Sequence, residues 1–206
     1  MQTNIDTIIF DLGGVLVDWK PAYVYRKVFN GNEKKVQWFL NTICTSDWNN
    51  EQDSGRTIEE GVNIKIAEFP TYEEWIRIFY KEWEHMFSGP IKENVALFQQ
   101  LKASGNYKIY ALTNWSAEKW NLALELFPFF NDFDGVVVSG QEKTRKPYPE
   151  IYKILINRYE IIPEKTIFID DNKENIITAK TLSFQGIHYK NPLQLLESLK
   201  TYFINY

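Results

Sequence analysis

Short runs of β-branched and aromatic residues recur along the chain, separated by longer stretches whose apolar positions return at helical spacing. The runs are TIIFDL (7–12), YKIYALT (107–113), GVVVS (135–139), TIFID (166–170) and a weaker GIHYK (186–190). Helix-like stretches such as IKENVALFQQLKAS stand between the later ones, so the pattern predicts right-handed crossovers and a mostly parallel sheet covered on both faces. Residues 19–88 have another texture. NEKKVQWFLNTI, TIEEGVNIKIAEF and TYEEWIRIFYKEWEHMF read as amphipathic helices, with no clear strand among them. Thr57 with Glu60, and Thr71 with Glu74, have capping-box spacing at two of the helix starts. Trp38, Trp75, Tyr80 and Trp83 recur as a buried helical stripe would. The expectation is an α/β fold, a doubly wound (Rossmann-like), mostly parallel sheet built from 1–17 and 89–206, with an all-helical domain inserted over 18–88.

Composition narrows the partners. With 206 residues, 44% hydrophobic and 24% charged, the chain is long enough for one substantial core. A net charge of -4, with no basic run or basic helical face, argues against nucleic acid and membrane surfaces. The single cysteine, Cys44, cannot form an internal disulfide, and the polar start MQTNIDT lacks a signal pattern. No apolar run approaches the roughly 18 residues of a membrane span. These features point to a cytoplasmic setting and a small-molecule partner.

In open parallel sheets, ligands sit beyond the carboxyl ends of the strands. Those ends carry Asp11, then Thr113 and Asn114, then Asp170 and Asp171, and Lys146 lies in TRKPYPEIY just before a helix. Carboxylates so grouped suit a hard cation such as Mg²⁺, while threonine and lysine suit phosphoryl oxygens. His85 and His188 stand apart without ligand-like spacing, and Cys44 has no histidine partner in view. Asp18, just before WKP, reads as a helix cap.

FDLGGVL, IYALTN, RKPYPEIY and IFIDDNKEN stand in the order, and at roughly the spacing, of the four motifs of the haloacid dehalogenase superfamily. The resemblance covers nearly the whole core, and the helical insert resembles that family's cap. It is nearest to the cytoplasmic phosphatase members, including sugar-phosphate phosphatases and the phosphatase domain of bifunctional epoxide hydrolases. The resemblance implies that Asp11 is a nucleophile forming an aspartyl-phosphate that water hydrolyses. It implies phosphate contacts from Gly14, Thr113, Asn114 and Lys146, the lysine also neutralising Asp11. Mg²⁺ would be held by Asp11, the Gly13 carbonyl and Asp171, with Asp170 acting through a water and Asn175 bracing the loop. The substrate would be a small phosphorylated metabolite, with Trp19, Trp48 and Trp115 lining its pocket and Asn49 near the mouth.

There is one departure from the family pattern. Most of its phosphatases carry a second aspartate two residues after the nucleophile as general acid and base, and here that position is Gly13. Such a group is worth about 10²–10⁴-fold in rate. A sugar 1-phosphate, with its better leaving group, would need less protonation, although hydrolysis of the aspartyl-phosphate still wants a base. The superfamily's 2-haloacid dehalogenases also lack the second aspartate, and LTNWS resembles their halide-binding segment. They work without metal and have no use for the acid pair in IDD (169–171), which favours the phosphatase branch. A non-catalytic member binding a phospho-metabolite or a protein partner is the remaining alternative.

Overall fold

A computed structural model describes residues 4–202 and 204. The described chain opens on β1 (Thr7–Phe10), buried at every position, followed by the short strand β2 (Val17–Trp19). Five helices come next: α1 (Ala22–Val28), α2 (Glu33–Thr42), α3 (Ser46–Asp53), α4 (Ile58–Glu68) and α5 (Glu73–Lys81). β3 (Phe87–Pro90) then returns antiparallel to β2. Helices and strands alternate from there through α6 (Lys92–Ser104), β4 (Lys108–Thr113), α7 (Ala117–Leu126), β5 (Gly135–Val138) and the short α8 (Ser139–Glu142). The remaining elements are α9 (Pro149–Tyr159), β6 (Thr166–Asp170), α10 (Lys173–Thr181), β7 (Gln185–His188) and α11 (Pro192–Thr201).

The five longer-range strands form one parallel sheet in the order β5-β4-β1-β6-β7. Side chains alternate across it. Ile8, Phe10, Ile109 and Ile169 pack on one face with Phe98 of α6 and Leu195 of α11, whereas Ile9, Leu112 and Phe168 pack on the other with Tyr152 of α9 and Ile176 of α10. Helices therefore cover both faces, as the continuous apolar runs predict. The register sets Phe10 beside Ala111 and Ile169, so β1, β4 and β6 end within two residues of one another at one edge. Strand order reverses beside β1, and a crevice opens there.

The insert departs from expectation in instructive ways. The β2–β3 ribbon was not foreseen, because each strand is too short to write a periodic pattern and its partner lies across the whole insert. The expected boundaries at 17/18 and 88/89 both fall within this ribbon. Asp18 is not a helix cap, since Pro21 occupies that position of α1. It fastens the ribbon, accepting hydrogen bonds from Tyr23 and from Ser88 (2.6 Å) and pairing with Lys20 at 2.9 Å. Thr57 caps α4 by accepting from the Glu60 amide at 3.2 Å, but Thr71 falls in a 3-10 turn begun by Pro70 and caps nothing. Trp38 is 39% exposed and lies edge-on to Tyr72, while Tyr80 and Trp83 are buried and Trp75 half-buried. No helix among the described residues is long and apolar enough to cross a membrane.

Candidate active site

Because β1, β4 and β6 end together, Asp11 emerges beside Asp170, and Thr113 lies one residue further along β4. Lys146 reaches them from the loop between α8 and α9. Its ammonium is almost fully buried, 2.9 Å from Asp11 and 2.6 Å from Asp170, and donates to the Leu112 carbonyl at 2.8 Å. A cation so deeply buried is held only where its charge and all its protons are met. Burial alone would lower the lysine's affinity for its proton, but the two carboxylates raise it above the ordinary value.

The carboxylates differ in what they have left to offer. Asp170 is wholly buried and accepts from the Asn172 amide (2.8 Å), from Lys146, and twice from Asn175 Nδ2 (2.9 and 3.0 Å). Those four contacts occupy the lone pairs of its two oxygens. They anchor Lys146 and Asn175 and leave Asp170 no lone pair for a further ligand. Asp11 accepts from the Leu12 amide at 2.7 Å and from Lys146, and faces the crevice. Burial pushes its carboxyl up to about 8, the Lys146 charge working against this and the Asp170 and Asp171 charges adding to it. Asp171, exposed at the rim, is raised by desolvation and by Asp170. His188 on β7 holds the Asp171 carbonyl at 2.9 Å, a support the sequence did not suggest.

These residues fit a divalent cation. One oxygen from each of Asp11, Asp170 and Asp171 lies within 4.8 Å of the others, in a pocket where Asp11 and Asp171 both resist ionising alone. Gly14 shows how tight the loop is. Its φ is +77°, and a Cβ there would sit 2.2 Å from Asp171 Oδ2. Gly14→Ala should therefore displace the Asp171 carboxylate and destabilise the fold by about 1–3 kcal/mol, combining left-handed backbone strain with the clash. Chemical denaturation and a Mg²⁺ titration read the two effects separately.

Several expected roles change on this geometry. The Gly14 amide donates to the Val17 carbonyl at 2.9 Å, so it closes the loop and is not free to donate to a phosphoryl oxygen, the role expected of it. Asn114 spends its amide on Lys146, donating to that residue's carbonyl (3.0 Å) and accepting from its N–H (2.9 Å). It is a positioning residue for the lysine loop. Thr113 Oγ1, at the end of β4, is buried with no protein partner.

A cavity of about 670 Å³ opens over Asp11 between the sheet edge and the insert. Its upper wall carries Gln37, Asn41, Thr45, Ser46, Asn49 and Asn50. Trp19 lines it, and Trp19 and Trp115 line a smaller adjoining cavity of about 60 Å³; neither indole N–H has a protein partner. Trp48 does not line either cavity. It is buried in the insert against Phe79 and Tyr80, and its N–H donates to the Gly61 carbonyl at 2.9 Å. Cys44 touches the large cavity, but burial pushes its thiol up to about 12, which keeps it inert.

Comparison with known proteins agrees with this geometry. The family described as haloacid dehalogenase-like hydrolase, a hydrolase, matches residues 5–182. A phosphorylated carbohydrates phosphatase of Thermotoga maritima is 27% identical over 188 residues, covering 89% of this chain and 84% of the relative. The sesquiterpene phosphatase astK of Aspergillus oryzae is 26% identical, covering 97% of each. Among solved structures, a HAD family enzyme from Bacteroides thetaiotaomicron, in complex with magnesium and inorganic phosphate, matches with a TM-score of 0.67 and 25% identity. The match covers 91% of this chain and 96% of that one.

Proposed function

The chain belongs to the haloacid dehalogenase-like hydrolases, and on that premise we propose that it is a Mg²⁺-dependent phosphatase of neutral, hydroxyl-rich metabolites that works through phosphoryl-Asp11. The observation that carries the substrate class is the wall of the large cavity. Among the described residues Lys146 is the only cation that lines it, and that ammonium is already committed to Asp11 and Asp170. No lining residue is therefore left to neutralise a carboxylate or a further phosphate on the leaving group. Above, carboxamides and hydroxyls stand beside the apolar Leu40 and Phe79, and each of the polar groups can donate and accept, as a polyol requires. Trp19 lines both cavities and Trp115 the small one, and indole faces suit a sugar ring.

In this reading Asp11 attacks phosphorus, and the ester oxygen leaves. Lys146 offsets charge on Asp11 and on the phosphoryl oxygens, and the free Thr113 hydroxyl donates to one of them. Asp11, Asp171 and the Gly13 carbonyl would hold Mg²⁺, which supplies charge neutralisation and orientation of the phosphoryl group. The helical insert acts as a cap that excludes water and selects shape.

A substrate panel tests the reading. With Mg²⁺ present, kcat/KM should be at least tenfold higher for sugar and polyol phosphates than for phosphoglycolate or a farnesyl phosphate. Equal or better turnover of the anionic or apolar ester would refute the substrate class. Mg²⁺ should also raise the melting temperature, by the equivalent of about 2.7 kcal/mol at a hundredfold excess over its Kd. The shift should shrink as pH falls and protons compete for the carboxylates, and it should weaken in Asp171→Asn.

A further inference from the structure

Gly13 leaves space as well as a missing group. A Cβ built on it meets nothing within 4 Å. Facing that space across the small cavity is Asp53, the last residue of α3, which also lines the large cavity with Asp11 and Lys146. Asp53 thus stands at the wall the two cavities share.

Its carboxylate is held from both sides. Asn49 Nδ2 donates to Oδ2 at 2.9 Å, and the Ser116 backbone N–H donates from the loop after β4. Asn49 is fixed in turn, its Oδ1 accepting from the Tyr80 hydroxyl at 2.8 Å. The Asp53 carbonyl accepts from Ser139 Oγ, which itself accepts from the Trp115 amide at 2.9 Å. The end of α3 is therefore docked onto the loops after β4 and β5, beside the nucleophile. Such docking needs the insert closed on the core.

We infer that Asp53, delivered by the helical insert, is the general acid and base of the reaction, replacing the side chain that Gly13 lacks. This rests on the phosphatase reading. In the first step the Asp11–phosphorus bond forms, the ester bond breaks, and the Asp53 proton passes to the leaving oxygen. In the second, water bonds to phosphorus, its proton returns to Asp53, and the Asp11–phosphorus bond breaks to release phosphate. Protons and charge balance over the cycle, and no further reactant is needed.

Its surroundings suit the task. Burial pushes the carboxyl up to about 7, against the pull of Arg145 and the Ser116 N–H, so both protonation states are accessible near neutrality. The groups that face it are Arg145 from the loop after α8, Tyr80 from α5 and Asn49 from its own helix. Arg56 is turned away, donating to Gln52 and the Trp48 carbonyl.

The test compares two esters in Asp53→Asn with Mg²⁺. Glycerol phosphate, whose alkoxide must be protonated, should lose about 10²–10⁴-fold in turnover. p-Nitrophenyl phosphate needs no acid for departure, so it should give a burst of nitrophenol stoichiometric with enzyme, followed by slow hydrolysis of phosphoryl-Asp11. The pH-rate limb near 7 in the unmodified protein should vanish. Should the asparagine variant lack a cooperative melting transition, Asp53→Ser replaces it. Equal loss on both esters, no burst and an unchanged pH limb would overturn the assignment, as would undiminished turnover. Phosphate release absent even from the unmodified protein would overturn the phosphatase reading and this inference together; the other two results overturn the assignment alone.

Discussion

Asp11→Asn should abolish phosphate release, by roughly 10⁴-fold or more, while leaving the protein folded. The amide matches the carboxylate in shape, but it is no nucleophile toward phosphorus. Asp11 follows β1 at the floor of the cavity and is only 8% exposed, so no exposed group can substitute for it without rearrangement. The stability change should run the other way. The Asp11 carboxyl is raised from an ordinary 3.8 to about 8 in the fold, first by burial. A raised value means that the folded state holds the proton more tightly, so stability falls as pH rises from 3.8 through about 8. Asparagine carries no such penalty, and Lys146 keeps Asp170 as partner. The variant should therefore melt at or above the unmodified protein, by a margin that widens with pH across that window. Phosphate release and melting curves over a pH series check both halves.

Lys146→Met should be the most destabilising single change at the site, costing about 3–5 kcal/mol near neutral pH. The ammonium is 1% exposed and lies between Asp11 and Asp170, the latter wholly buried. Methionine fills most of the volume and leaves two carboxylates facing one another without a counter-charge. The Asp11 carboxyl, already raised, must rise further, so the penalty is greatest where it would be ionised and recedes as pH falls toward the ordinary carboxylate range. Activity should be lost along with stability. Denaturant unfolding at neutral and mildly acidic pH distinguishes this from a packing defect, which would cost the same at both.

The core was legible because a parallel sheet covered on both faces writes continuous apolar runs, as TIFID does for β6, and because its chemistry follows strand ends. Asp11, Lys146, Asp170 and Asp171 do meet in one crevice. What sequence could not carry is who satisfies whom. Gly14 and Asn114 stand in motif positions, yet their amides are engaged by Val17 and Lys146, partners fixed only by the closed loops. Trp48 sits among polar residues in α3, and the Phe79 and Tyr80 that bury it come from α5. Asp53 ends the polar segment SDWNNEQD, where no periodicity marks one carboxylate above another. Only the docking of α3 onto the loops after β4 and β5 brings it to the cavity.

The most direct test of the whole account is phosphate release from a sugar phosphate by the unmodified protein, measured in Mg²⁺, after EDTA, and after Mg²⁺ is restored. Release that stops on chelation and returns with the metal is the predicted result. Release indifferent to EDTA, or no release from any phosphate ester while a haloacid is dehalogenated in metal-free buffer, would contradict it.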